Sequence, residues 1–93
     1  MPRIIVKSFI SNKDETSDVQ ISFLKELENI FGGRVEFEYL DVKENESQAL
    51  KYKIKDLPTI IIECDDKERE RFNGLTQQLF LRKAIEKTLS ECR

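Results

Sequence analysis

The stretch "LKYKIKDLPTIIIE", residues 50–63, decides how this chain is read. A short basic segment of helical character runs up to a single proline, and a run of β-branched residues starts directly after it. Proline has no amide hydrogen and holds φ near −65°, so it fits the first position of a strand or a turn and not the middle of a sheet. The stretch therefore predicts a helix over residues 44–52 with Ala49, Leu50 and Tyr52 as its apolar part. A break at Pro58 and a strand over residues 59–63 follow.

Upstream, "RIIVKSFI" at residues 3–10 is an apolar, β-branched run that suits a strand buried on both faces. The loop "SNKDETSD" at residues 11–18 follows, and Ser17 with Gln20 three positions later reads as a capping box opening a helix. Val19, Phe23, Leu27 and Ile30, with Leu24 and Phe31 alongside, recur at spacings of three and four and predict one apolar stripe. Gly32-Gly33 closes that helix in the manner of a left-handed cap. "VEFEYLDV" at residues 35–42 alternates as a second strand, with Val35, Phe37 and Tyr39 on one side.

Downstream, Asp65-Asp66-Lys67 predicts a turn, and "ERERF" at residues 68–72 predicts an edge strand whose charges face solvent. A last helix over residues 76–90 carries Leu79, Leu81, Ala84, Ile85, Thr88 and Leu89 at helical spacing. The order is β-α-β-α-β-β-α, an α/β chain. A strand-helix-strand unit gives a parallel pair and the short turn forces an antiparallel one, so a four-stranded mixed sheet with helices on both faces is expected.

With 93 residues, 39% of them hydrophobic, the chain can build one modest core, and residues 1–93 read as a single domain. Basic and acidic residues number 16 and 18, which leaves a net charge of −2 and no field that would attract nucleic acid or an anionic membrane. The longest apolar run, residues 57–62, is far below the roughly 20 residues of a membrane span. Met1-Pro2-Arg3 does not open a signal peptide, so a cytoplasmic location is expected. The two cysteines, Cys64 and Cys92, lie 28 positions apart in a chain without histidine, which offers neither metal spacing nor a Cys/His nucleophile pair. In a reducing compartment they read as free thiols, a disulfide between them being left open by the sequence. The only double glycine ends a helix rather than opening one and cannot cradle phosphate, so no cofactor and no metal are expected.

Asp41-Val42, Glu44-Asn45, Ala49, Lys51-Tyr52, Ile54 and Leu57-Pro58-Thr59, followed by Phe72-Asn73-Gly74, resemble the second half of a thioredoxin. There similar residues lead to a cis-proline and then to an F-x-G step before the last helix. The chain as a whole resembles the smallest, glutaredoxin-like form of that fold, as in small archaeal-type glutaredoxin-like proteins. The resemblance implies that Pro58 is the cis-proline at the entrance of the third strand. Redox members carry a CxxC between the first strand and the first helix. Counting back along the helix puts Asp14, Glu15, Thr16 and Ser17 on those positions, and none of them is cysteine.

Two readings of residues 14–17 stand side by side: an ordinary capped helix start, or the polar wall of a peptide-binding lip. In the second reading Leu57, Pro58 and Thr59 supply backbone for strand addition by a protein or peptide partner. Cys64 reads as a small hydrophobe at a strand end, with acidic neighbours that disfavour a thiolate. Cys92 reads as frayed and exposed. The leading expectation is a redox-inactive binding module, with a thiol-disulfide oxidoreductase using Cys64 or Cys92 as the alternative and a regulatory thioredoxin-fold protein as a third. The run over residues 65–71 reads as a solvated hairpin or a docking surface. Exposed Phe72 and Phe80 would support a homodimer or a partner site.

Overall fold

The computed structural model describes residues 2–92. Its elements are β1 (Ile4–Ile10), α1 (Glu15–Phe31), β2 (Glu36–Asp41), α2 (Glu46–Lys51), β3 (Thr59–Cys64), β4 (Lys67–Asn73) and α3 (Gln78–Glu91), with a 3₁₀ turn at Gly32–Arg34. They form one mixed sheet in the order β2-β1-β3-β4, with β1 parallel to β2 and antiparallel to β3, and β3 antiparallel to β4. This is the thioredoxin-like α/β architecture. Among the described residues no helix is long and apolar enough to cross a membrane.

Side chains alternate across a strand, so the register sorts them onto two faces. Ile4 and Val6 of β1 and Ile60, Ile62 and Cys64 of β3 pack against Leu24, Leu27 and Phe31 of α1 and Leu81, Ala84 and Ile85 of α3. Ile5, Phe9, Ile61 and Glu63 are equally buried on the other face, where the helix is only six residues long. Long side chains complete that cover. Tyr52 lies 5.6 Å from the Phe9 ring centroid, and the Arg71 guanidinium donates to the Tyr52 carbonyl at 2.9 Å and to the Glu68 carboxylate. Aliphatic stems of charged residues can cover apolar surface while their heads stay wet, which is how a short helix suffices here.

The phase of α1 differs from the expected stripe. Its N-cap is Asp14, whose carboxylate accepts from the Thr16 N–H, so the helix begins before the Ser17/Gln20 box. Ser17 and Gln20 are instead fully buried in the helix, and the inward face runs Gln20, Leu24, Leu27, Phe31. Val19 and Ile30 turn to solvent. The reason is polar satisfaction: Ser17 Oγ accepts the Ser11 N–H at 3.1 Å. The Gln20 amide donates to the Thr76 carbonyl at 3.1 Å and accepts the Thr76 N–H at 2.8 Å. A buried amide with both partners met clasps α1 to the segment leading into α3. Gln20→Leu keeps the volume but leaves both Thr76 backbone groups unpaired, and should cost about 2 kcal/mol in urea unfolding. An unchanged midpoint would show that the clasp contributes nothing.

The remaining punctuation explains itself locally. Gly32, with φ 57°, closes α1 by donating its N–H to the Glu28 carbonyl, a left-handed position that a Cβ would strain. Asp65 and Asp66 have φ of 50° and 68°, the paired left-handed conformation of a two-residue hairpin turn. On α2, Leu50 faces solvent rather than the sheet at 81% exposure, and Leu79 and Phe80 at the start of α3 are exposed as well.

Candidate functional site

The pairing of Phe9 with Thr59 places the loop after β1 and the loop before β3 at the same end of the sheet. There the Leu57–Pro58 peptide bond is cis, Pro58 is buried and its carbonyl accepts the Gly74 N–H at 2.8 Å. Thr59 Oγ1 donates to the Asp56 carbonyl at 2.6 Å. Leu57 makes no backbone hydrogen bond among the described residues. On the facing loop, Asp14 accepts from the Thr16 hydroxyl and N–H and, at 3.5 Å, from the Ser17 hydroxyl. The Thr16 side chain and then its backbone N–H hold the Asp14 carboxyl below the usual carboxylate range. Asp14 and Thr16 are thus committed to the helix start, Ser17 is turned inward, and Glu15 is exposed.

The sulfur lies elsewhere. Pro58 stands six residues before Cys64 along β3, which at about 3.3 Å per residue puts the two roughly 20 Å apart. Cys64 is joined to Cys92 in a disulfide with a Cα–Cα distance of 6.4 Å. The expectation of free thiols is therefore corrected. So is the picture of Cys92 as a frayed end, because its N–H caps α3 on the Thr88 carbonyl at 2.8 Å.

Chain geometry is the cause. The seven residues of β4 carry the chain about 23 Å back to the Pro58 end, and the 14 residues of α3 return it about 21 Å. Cys92 is thereby set down beside the end of β3. Cys64 is 3% exposed and Cys92 is half-buried against the core, so of the two residues Cys92 is the more open to solvent. Asp65 borders them, with Oδ1 accepting the Arg3 N–H at 2.9 Å and its own N–H donating to the Arg3 carbonyl at 2.9 Å.

A third cluster was missed in the sequence reading. On the α2 face, Lys7 Nζ lies 3.2 Å from Glu63 Oε1 and donates to the Tyr52 hydroxyl at 2.9 Å, while that hydroxyl donates to Glu63. The available signal was a lysine inside "RIIVKSFI" and a glutamate closing "TIIIE". Burial pushes the Lys7 ammonium toward deprotonation, but hydrogen bonds to Tyr52 and Glu63 outweigh it and its pKa is raised. Burial, then the bond to Glu63, raises that of Tyr52.

Both shifts act with the same sign. A folded pKa above the unfolded value gives stability that is complete below the unfolded pKa and is lost as pH rises through the folded one. Against ordinary values of 10.5 for lysine and 10.0 for tyrosine, the urea midpoint should hold through pH 9 and fall above about pH 10. Tyr52→Phe should flatten that fall. An alkaline limb identical in the variant would remove Tyr52 from the account.

A thioredoxin family model matches residues 19–87. The chain belongs to the thioredoxin family. Among solved structures it is similar to thioredoxin-2 of a malaria parasite, a protein described as a component of that parasite's secretion machinery. The identity there is 27% and the TM-score 0.88, over 92% of this chain and 84% of that one. A second malarial protein is 28% identical with a TM-score of 0.86, over 94% and 98% of the two chains. Thioredoxin of Fasciola hepatica is 26% identical with a TM-score of 0.78, over 98% and 82%. No curated relative matches the sequence significantly. Within this thioredoxin-family chain the expectation of sulfur without redox competence loses its support, because Cys64 and Cys92 are covalently paired.

Proposed function

We propose that the protein is a thiol-disulfide member of the thioredoxin family whose redox couple is Cys64–Cys92, at the opposite end of β3 from the Pro58 loop. The observation that carries this reading is a disulfide that joins a buried residue, Cys64, to a half-buried one, Cys92. Exchange proceeds by attack of a thiolate on one sulfur with the other leaving, and access selects the sulfur attacked. A thiolate of an incoming dithiol attacks Cys92 Sγ, and the Cys64–Cys92 bond breaks. Cys64 Sγ departs with the electron pair and takes a proton from solvent. The donor's second thiol then attacks the mixed disulfide, releasing Cys92 as a thiol and leaving the donor oxidised.

Two single variants test the order of events. In Cys64→Ser the lone Cys92 thiol should form a mixed disulfide with an aromatic disulfide reagent faster than the lone Cys64 thiol does in Cys92→Ser. Reduced wild type should reduce insulin above the level of the double serine variant. Equal turnover by the double variant would exclude the couple from catalysis.

A second reading concerns the Pro58 end. The backbone of Leu57 is unpaired there, and Leu75, Leu79 and Phe80 are exposed beyond Gly74, which supports docking of an extended protein or peptide partner by strand addition. Such a partner would slow hydrogen exchange at the Leu57 N–H. Unaltered exchange in the presence of excess unfolded insulin B chain would argue against it.

A further inference from the structure

At the corner where α3 meets the hairpin turn, Cys64 Sγ, Cys92 Sγ and a carboxylate oxygen of Asp65 all lie within 4.8 Å of one another. Two thiolates held about 2.3 Å from a tetrahedral ion stand about 3.8 Å apart, and a carboxylate oxygen in the same shell lies at a similar separation. The bonded sulfurs stand closer than that, so once the sulfur-sulfur bond is opened the two cysteine side chains must rotate apart for the three atoms to share one ion. Asp65 is also oriented in advance. Both its N–H and its Oδ1 are tied to the Arg3 backbone, the kind of outer support that fixes a ligating carboxylate. The separation of 28 positions hides this constellation from any motif of ligand spacing.

Donor chemistry selects the ion. Two thiolates and one carboxylate suit a borderline-soft divalent metal, whereas magnesium and calcium require shells of oxygen. We infer that the reduced protein binds a zinc-class divalent ion through Cys64, Cys92 and Asp65, the fourth position being left to water or an external ligand. The inference rests on the reading of Cys64–Cys92 as a reducible couple. A dithiol reduces the disulfide and is itself oxidised to a disulfide. The ion then displaces the two thiol protons to solvent and forms two metal-sulfur bonds. Disulfide and metal are mutually exclusive ties between α3 and the end of β3, so reduction in the presence of the ion exchanges one tie for the other.

The test uses the full chain and Co²⁺ as the probe. After treatment with a dithiol and its removal under argon, colorimetric titration should count two thiols per chain. Co²⁺ should then give a thiolate-to-cobalt charge-transfer band saturating at one ion per chain. Asp65→Asn, which suits the left-handed turn, should weaken Co²⁺ binding by at least about tenfold, since even outer-shell losses cost 10- to 100-fold. Asp66→Asn should leave binding unchanged. Cys92→Ser should lose the one-to-one band.

Two thiols without a charge-transfer band would overturn the metal site while leaving the redox couple intact. Equal affinities of the two asparagine variants would remove Asp65 as a ligand and overturn the site as proposed. If a dithiol releases no thiols from the native fold, the redox reading fails. Protein reduced in denaturant and refolded with Co²⁺ then decides the metal site by the same band.

Discussion

Lys7→Met, with Glu63 left in place, is expected to destabilise the protein by about 3 to 5 kcal/mol. The Lys7 and Glu63 side chains are 13% and 2% exposed, and the pair lies on a sheet face otherwise lined by Ile5, Phe9 and Ile61. Removing the ammonium leaves a carboxylate whose one remaining partner among the described residues is the Tyr52 hydroxyl, in a poorly solvated place, and an uncompensated buried charge costs several kcal/mol. The converse variant, Glu63→Leu, should cost less, because the lysine stem reaches toward solvent and can carry its charge out. Lys7→Met combined with Glu63→Leu should recover much of the loss, since a packed apolar pair of similar volume is often as stable as a buried ion pair. Urea unfolding of the three variants checks the order. A Lys7→Met midpoint equal to that of wild type would mean that Glu63 is solvated and that the face is open.

Reduction of Cys64–Cys92 in the absence of metal should lower stability by about 3 to 4 kcal/mol, the chain-entropy value for a loop closed over a separation of 28 residues. For a domain of this size that corresponds to a fall in Tm of roughly 15 °C. Cys92→Ser should fall by a similar amount and show no further change on adding reductant. The loss should be felt first at the end of α3, where Cys92 ties the helix to Cys64 of β3, and amide exchange there should accelerate before it does in β1. Superimposable melting curves for oxidised and reduced protein would show that packing alone fixes that helix. Melts in the presence of Zn²⁺ connect this result to the proposed metal tie, which should restore part of the lost Tm.

How much of this was legible in the sequence varies by element. The break at Pro58, the double glycine after α1 and the aspartate turn are local signals, because each depends on backbone freedom at one or two residues. The order of strands and helices emerged from them. The face that α1 buries was not legible in the same way. Apolar spacing alone favoured Val19 and Ile30, while the packed helix rotates to let Ser17 and Gln20 reach backbone partners at Ser11 and Thr76, 56 positions away in the case of Gln20. The disulfide was not legible, because it depends on β4 and α3 having nearly equal spans once folded, which two cysteines 28 positions apart do not show. Reasoning from compartment to thiol state concealed it.

Taken by itself, the chain's order of residues determined the thioredoxin-like succession of elements, the hairpin and the absence of sulfur from residues 14–17, since these depend on periodicity, local backbone preference and residue identity. Tertiary structure alone decided that Cys64 meets Cys92 beside Asp65, and that Lys7 and Glu63 share a buried cluster with Tyr52. Those meetings are set by distances through space, which follow from how strands register and how far a helix returns.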